Sequence, residues 1–128
     1  GKDYSDLNDD QLTDDYNYLI FPNITMNIHA DDLMMFRHRP HPTDPGKMYF
    51  DYFMFTLPDH EFDADGYKRP AHRSYKHGET SLGLVINQDA YNLPHVQQGM
   101  ASAGYPGLWL GEQERRLRHF HKTLEDYC

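Results

Sequence analysis

The chain has one cysteine, Cys128, and it is the last of the 128 residues. An internal disulfide is therefore impossible, and a thiolate-held zinc or iron–sulfur centre has no ligand set to draw on. Basic charge is scarce as well: 12 Lys and Arg stand against 20 Asp and Glu, a formal net charge of −8. Nucleic-acid binding depends on clustered cations that displace counterions from phosphates, and only "RRLR", Arg115 to Arg118, is locally basic. That run reads as the solvent face of a helix. No apolar stretch approaches the roughly 20 residues of a membrane span, and no stretch reads as a signal peptide. The chain reads as soluble and cytoplasmic, with neither nucleic acid nor membrane as a partner. Also missing are a G-x-S-x-G elbow, a glycine-rich phosphate loop and a thiol nucleophile.

What is present is aromatic and sulfur-rich. Leu, Ile, Val and Phe together fall just under one-fifth of the chain, the level at which a highly charged sequence begins to look disordered. Ten Tyr, six Met and one Trp add large apolar areas and tip the balance toward folding. The length suits a single core, which this composition would make aromatic and methionine-rich.

Residues 1–15, "GKDYSDLNDDQLTDD", form an acidic surface segment or frayed end. From Tyr16, "YNYLIFPN" has the composition of a strand stopped by a Pro22-Asn23 turn. "ITMNIH" and "DLMMFRHRP" follow as a hairpin about Asp31. "KMYFDYFMFTLP", residues 47–58, carries apolar side chains in both alternating sets, the pattern of a strand covered on both faces and central to a sheet. Residues 59–80 are polar and turn-rich. "SLGLVI" reads as a short strand, followed by a helix that has to begin only a few residues before Pro94 and that Gly99 can stop. "GEQERRLRHFHKTLEDYC" is the clearest helix, with acids in its first turn and Leu117, Phe120, His121 and Leu124 on the face laid against the sheet. Strands followed by helices make an α+β fold.

Nine histidines invite a metal hypothesis. His119 and His121 lie about 200° apart on a helix and cannot share an ion. His38 and His41 sit beside arginines at what reads as a solvated strand end. "EFDADG" resembles part of a calcium loop through Asp63, Asp65 and Gly66, but Glu61 and His72 occupy its two end positions, so a polar turn is the better reading. His72 and His77, with Asp89 twelve residues on, are the two-histidine, one-carboxylate set of non-haem Fe(II) oxygenases. Arg69, Arg73 and Lys76 crowd that pair, and no apolar periodicity holds the imidazoles. Asp89 itself stands where the strand and helix readings meet, so capping the helix is its plain alternative role.

In order along the chain, "YNYLIFPN", the paired strands, "LVINQDAYNLPHVQQGMAS" and "GEQERRLRHFHKTLEDY" resemble the C-terminal half of the catalytic domain in the large subunit of Rieske-type aromatic-ring-hydroxylating oxygenases. The resemblance covers most of residues 16–127. It implies a helix-grip fold, incomplete here, in which a curved antiparallel sheet wraps a helix and encloses substrate and iron. It implies that Asp89 is the carboxylate ligand of a mononuclear Fe(II). It also implies an aromatic or other apolar substrate, electrons from a reductase or ferredoxin, and a homo-oligomer of three-fold type. In that family the two iron-binding histidines precede the Phe-Pro-Asn strand, whereas His72 and His77 follow it, which makes their spacing a coincidence. The [2Fe–2S] Rieske cluster requires two Cys and two His, a set this chain does not carry. The chain thus reads as residues 16–128 of a partial catalytic domain that does not hydroxylate on its own. The alternative is a non-catalytic helix-grip protein that binds an apolar ligand and keeps Asp89 as a cap.

Overall fold

Aromatic, β-branched and methionine side chains dominate residues 16–56, and they form a sheet. The computed structural model describes residues 2–57 and 70–128. Four strands, β1 (Tyr16–Ile20), β2 (Ile24–Ile28), β3 (Asp32–Pro40) and β4 (Met48–Thr56), pair antiparallel in the order β1-β2-β3-β4. Helices α1 (Asp9–Thr13), α2 (Leu84–Met100) and α3 (Arg115–Tyr127) complete an α+β fold. Two compact units result, Gly1–Tyr67 with Arg118–Cys128, and Lys68–Leu117.

In the sheet unit each turn uses the chemistry its sequence offers. At the β1–β2 turn Asn23 clamps the chain to β3: its carbonyl accepts the His38 N–H at 2.9 Å, and its Nδ2 donates to the His38 carbonyl at 2.9 Å. At the β2–β3 turn the His29 N–H donates to the Asp32 carbonyl at 3.0 Å, and the Leu57 N–H to the Asp31 carbonyl at 2.7 Å. Asp44 organises the β3–β4 connection, accepting the Gly46 N–H at 3.0 Å and pairing with Lys47 at 2.7 Å.

The register places Tyr18, Met26, Met35 and Phe53 across one face, and Leu19, Thr25, Phe36 and Tyr52 across the other. Phe36 stacks on Phe50 at 5.3 Å and on Tyr52 at 5.7 Å. The expected closed core does not form among the described residues: none of them is fully buried. β4 is likewise not central. It is the sheet's edge among the described residues, with Met54 and Phe55 each about half exposed, at 47% and 49%. The two ends of β4 are exposed, whereas Asp51, Tyr52 and Phe53 at its middle are half-buried.

The N-terminal acidic segment is held rather than frayed. Asn8 and Gln11 form a reciprocal capping box, with Gln11 N–H to Asn8 Oδ1 at 2.9 Å and Asn8 N–H to Gln11 Oε1 at 3.0 Å. Asp31 anchors the segment by accepting from Lys2 Nζ at 3.0 Å and from the Tyr4 hydroxyl at 3.2 Å.

In the second unit "LVI" opens α2 instead of forming a strand, because Asn87 turns the chain helical there. Its Oδ1 accepts the Leu82 N–H at 2.9 Å, its Nδ2 donates to Ser81 Oγ at 2.7 Å, and its N–H donates to the Gly83 carbonyl at 3.0 Å. Gly83 precedes the helix at φ 94°, a conformation that disfavours any side chain. Pro94 therefore lies well inside α2, where it offers no N–H to the Ala90 carbonyl. The helix also passes through Gly99 and is capped at Ala101.

α3 starts at Arg115, later than expected, so Glu112 and Glu114 precede it; Glu114 Oε2 accepts the Gly111 N–H at 2.9 Å in the turn before. Phe120 meets Phe21 edge-on at 6.2 Å, and Tyr127 meets the same ring at 5.2 Å. At 100° per residue Phe120, Thr123, Leu124 and Tyr127 share a stripe. His121, expected on the packed face, falls beside that stripe and is exposed, whereas Phe120, Thr123 and Leu124 are half-buried.

Candidate functional site

Asp89 sits in the second turn of α2, six residues past Gly83. Capping requires a side chain in reach of the first, unpaired N–H groups, and the dipole's effect fades beyond the first turn. Asn87 does the work at this helix start, so the capping role for Asp89 is set aside. The carboxylate is exposed and has no hydrogen-bond or ion-pair partner among the described residues. Its helical neighbours at i−4, i+4 and i+7 are Val85, Leu93 and Val96, which are 67%, 51% and 48% exposed. Asn92, at i+3, is the other polar residue on that stripe. A lone exposed carboxylate thus stands in a row of exposed aliphatic side chains.

The local triad is not assembled. His72 and His77 are exposed; His77 lies in the turn closed by Lys76 N–H to Glu79 Oε2 at 2.8 Å and followed by Gly78 at φ 82°. Among the described residues no three His, Cys, Asp or Glu side chains gather as a metal would require. The partial calcium-loop match at residues 61–66 lies outside the described residues. His95, also on α2, is occupied by Tyr91, ring to ring at 5.3 Å.

The sheet unit holds polar constellations that sequence spacing did not reveal. His29 lies between two carboxylates, with Nδ1 2.8 Å from Asp32 Oδ1 and Nε2 3.7 Å from Asp15 Oδ1. Its pKa is raised, chiefly by the hydrogen bond to Asp32, with Asp32, Asp15 and Asp31 adding their charge against the opposing effect of burial. Asp51 on β4 accepts from Arg39 Nε at 2.7 Å, Arg39 Nη2 at 2.9 Å and Arg37 Nε at 2.8 Å, and is held at a pKa of about 2. His38, read from sequence as a solvated strand end, is half-buried: Nε2 is 3.2 Å from Thr25 Oγ1 and its ring lies 5.4 Å from Phe50. Burial lowers its pKa, which keeps the imidazole neutral at pH 7. The signal that could have found these groups is cross-strand register, which pairs Arg37 with Asp51 and places Thr25 beside the His38 strand.

The family model of the ring-hydroxylating alpha subunit, catalytic domain, matches residues 2–128. The chain belongs to that family. No curated protein and no solved structure matches it. Within this ring-hydroxylating catalytic-domain chain, no described helix is long and apolar enough to cross a membrane.

Proposed function

We propose that the chain is the C-terminal portion of a ring-hydroxylating oxygenase catalytic domain, and that Asp89 is its carboxylate contribution to a mononuclear Fe(II) site. The observation that carries this reading is the exposed, unpartnered carboxylate in the aliphatic stripe of α2. A carboxylate is a suitable oxygen ligand for Fe(II) in a two-histidine, one-carboxylate set, and the helix gives it one direction. The described residues do not make up an iron site by themselves, since no imidazole pair converges on Asp89. The two histidines are assigned to sequence upstream of the Phe21-Pro22-Asn23 turn, and the Rieske cluster to another segment. No step of the reaction is assigned to this chain alone.

What this chain supplies is Asp89, the aliphatic surface around it and an antiparallel sheet of helix-grip type. The complete enzyme would take an aromatic or other apolar substrate, draw electrons from a reductase or ferredoxin, and assemble as a homo-oligomer. The test is iron content after anaerobic purification. Alone, the chain retains no stoichiometric Fe(II). Joined to upstream sequence bearing the two histidines it gains a mononuclear iron, which Asp89→Ala loses and Asp126→Ala keeps. Iron retained by the Asp89→Ala protein would overturn the assignment.

A further inference from the structure

We propose that Asn87 is a positioning residue for Asp89: by clasping the chain that enters α2 it fixes the helical turn from which this carboxylate reaches Fe(II). The proposal rests on the iron assignment above and adds the residue that supports it. α2 begins without the usual device. Its N-cap is Gly83, which has no side chain to cap with, and no acidic residue stands in the first turn. Asn87 supplies the missing hold from inside the helix. Its Oδ1 accepts the Leu82 N–H at 2.9 Å and its Nδ2 donates to Ser81 Oγ at 2.7 Å, while Ser81 Oγ also accepts the Gly83 N–H at 3.4 Å. The Asn87 N–H donates to the Gly83 carbonyl at 3.0 Å, the bond that closes the first turn. Backbone and side chain of one residue thus join Ser81, Leu82 and Gly83 to the helix.

Asp89 inherits its direction from that turn, because a helical side chain leaves the backbone at an angle set by the helix phase. It follows Asn87 by two residues, about 200° round the helix, so the clasp and the carboxylate leave on different sides. The far end of this stretch gives less support. Pro94 offers no N–H to the Ala90 carbonyl, so the part of α2 that carries Asp89 is joined to residues 94–100 by one backbone bond fewer. Across that gap the Tyr91 and His95 rings meet at 5.3 Å.

In the metal-free 128-residue chain, Asn87→Ala is expected to speed amide exchange at Gln88 and Asp89 about fivefold, the usual worth of a helix cap, and to leave Gln97 and Gln98 unchanged beyond the proline. In the chain joined to upstream sequence bearing the two histidines, Asn87→Ala is expected to weaken Fe(II) binding about tenfold, as loss of a ligand's supporting groups does. Asn87→Asp restores binding, since its carboxylate accepts from both the Leu82 N–H and the Ser81 hydroxyl and lies too far round the helix to share the ion. Asn8→Ala, which removes a cap of the same kind from α1, leaves Fe(II) binding at the parent level. Unchanged exchange at Gln88 and Asp89, Fe(II) held as tightly by Asn87→Ala as by the parent, no rescue by Asn87→Asp, or equal weakening by Asn8→Ala would overturn the proposal. Asp89→Ala in the same series keeps the two failures apart. Iron retained there sinks the assignment and this proposal together, whereas iron lost there but held normally by Asn87→Ala sinks this proposal alone.

Discussion

The imidazole of His29 and the carboxylate of Asp32 meet at 2.8 Å across the β2–β3 turn, with Asp15 at 3.7 Å on the ring's other nitrogen. Asp15 is itself held by Asn27 Nδ2 at 2.9 Å, and the neighbouring Asp31 by Lys2 and Tyr4. One end of the sheet is thus closed by a protonatable group set among acids.

A raised folded-state pKa means that protonated His29 stabilises the fold. The contribution is complete below the unfolded value of about 6.5 and is lost as pH rises through the folded value. Thermal melts from pH 5.5 to 8.5 should show stability falling across that upper range. His29→Gln should flatten the fall, and because all three side chains are partly exposed and screened, the effect should stay under about 1 kcal/mol.

Asp51 gives the opposite sign. Its pKa of about 2 lies below the unfolded value, chiefly because Arg39 donates to it and Arg37 adds a second bond, while burial opposes both. Its contribution is present above pH 4 and disappears as pH falls toward 2. Asp51→Ala removes the shared acceptor of two guanidiniums that also lie over Tyr49 and Phe53, at 5.0 and 5.8 Å. A loss of about 1–3 kcal/mol in urea unfolding at pH 7, shrinking at pH 2, is the expected result.

Asn87 and Asp89 differ by two positions and should differ sharply in effect. Asn87→Ala frees the Leu82 N–H and Ser81 hydroxyl and should cost about 1 kcal/mol. Asp89→Ala touches no described partner and should stay within about 0.5 kcal/mol of the parent. A large destabilisation from Asp89→Ala would return that residue to a structural role.

Phe21 is the ring that both Phe120 and Tyr127 approach. Phe21→Ala should release the last turn of α3, read as faster amide exchange at Leu124 to Tyr127, and should cost about 1–2 kcal/mol for a half-exposed ring.

The strands β1 to β3 and their turns were legible because they combine β-branched and aromatic runs with Pro22-Asn23 and the polar residues around Asp31, each of which has a local cause. The family was legible from the order of its stretches, and Asp89 was singled out by its place in one of them. The start of α2 was misread, because a three-residue apolar run such as "LVI" fits a strand and a helix equally well. Asn87, reaching back to Leu82 and Ser81, decided between them. His38 and His121 were misread in opposite directions, since one-residue shifts on a strand or helix exchange a packed position for an open one.

By itself the sequence determined the charge balance, the absence of a thiolate centre, the strand-then-helix order and the residue that family likeness marks as a ligand. These depend on composition and on neighbours within a few positions. Only the tertiary structure decided that Asp89 has no partner among the described residues, that His38 is neutral while His29 favours its proton, and that β4 is an edge among the described residues. His38 is set by burial within the sheet and His29 chiefly by Asp32 across the β2–β3 turn with Asp15 adding its charge, because electrostatic and desolvation energies depend on separation in space rather than along the backbone.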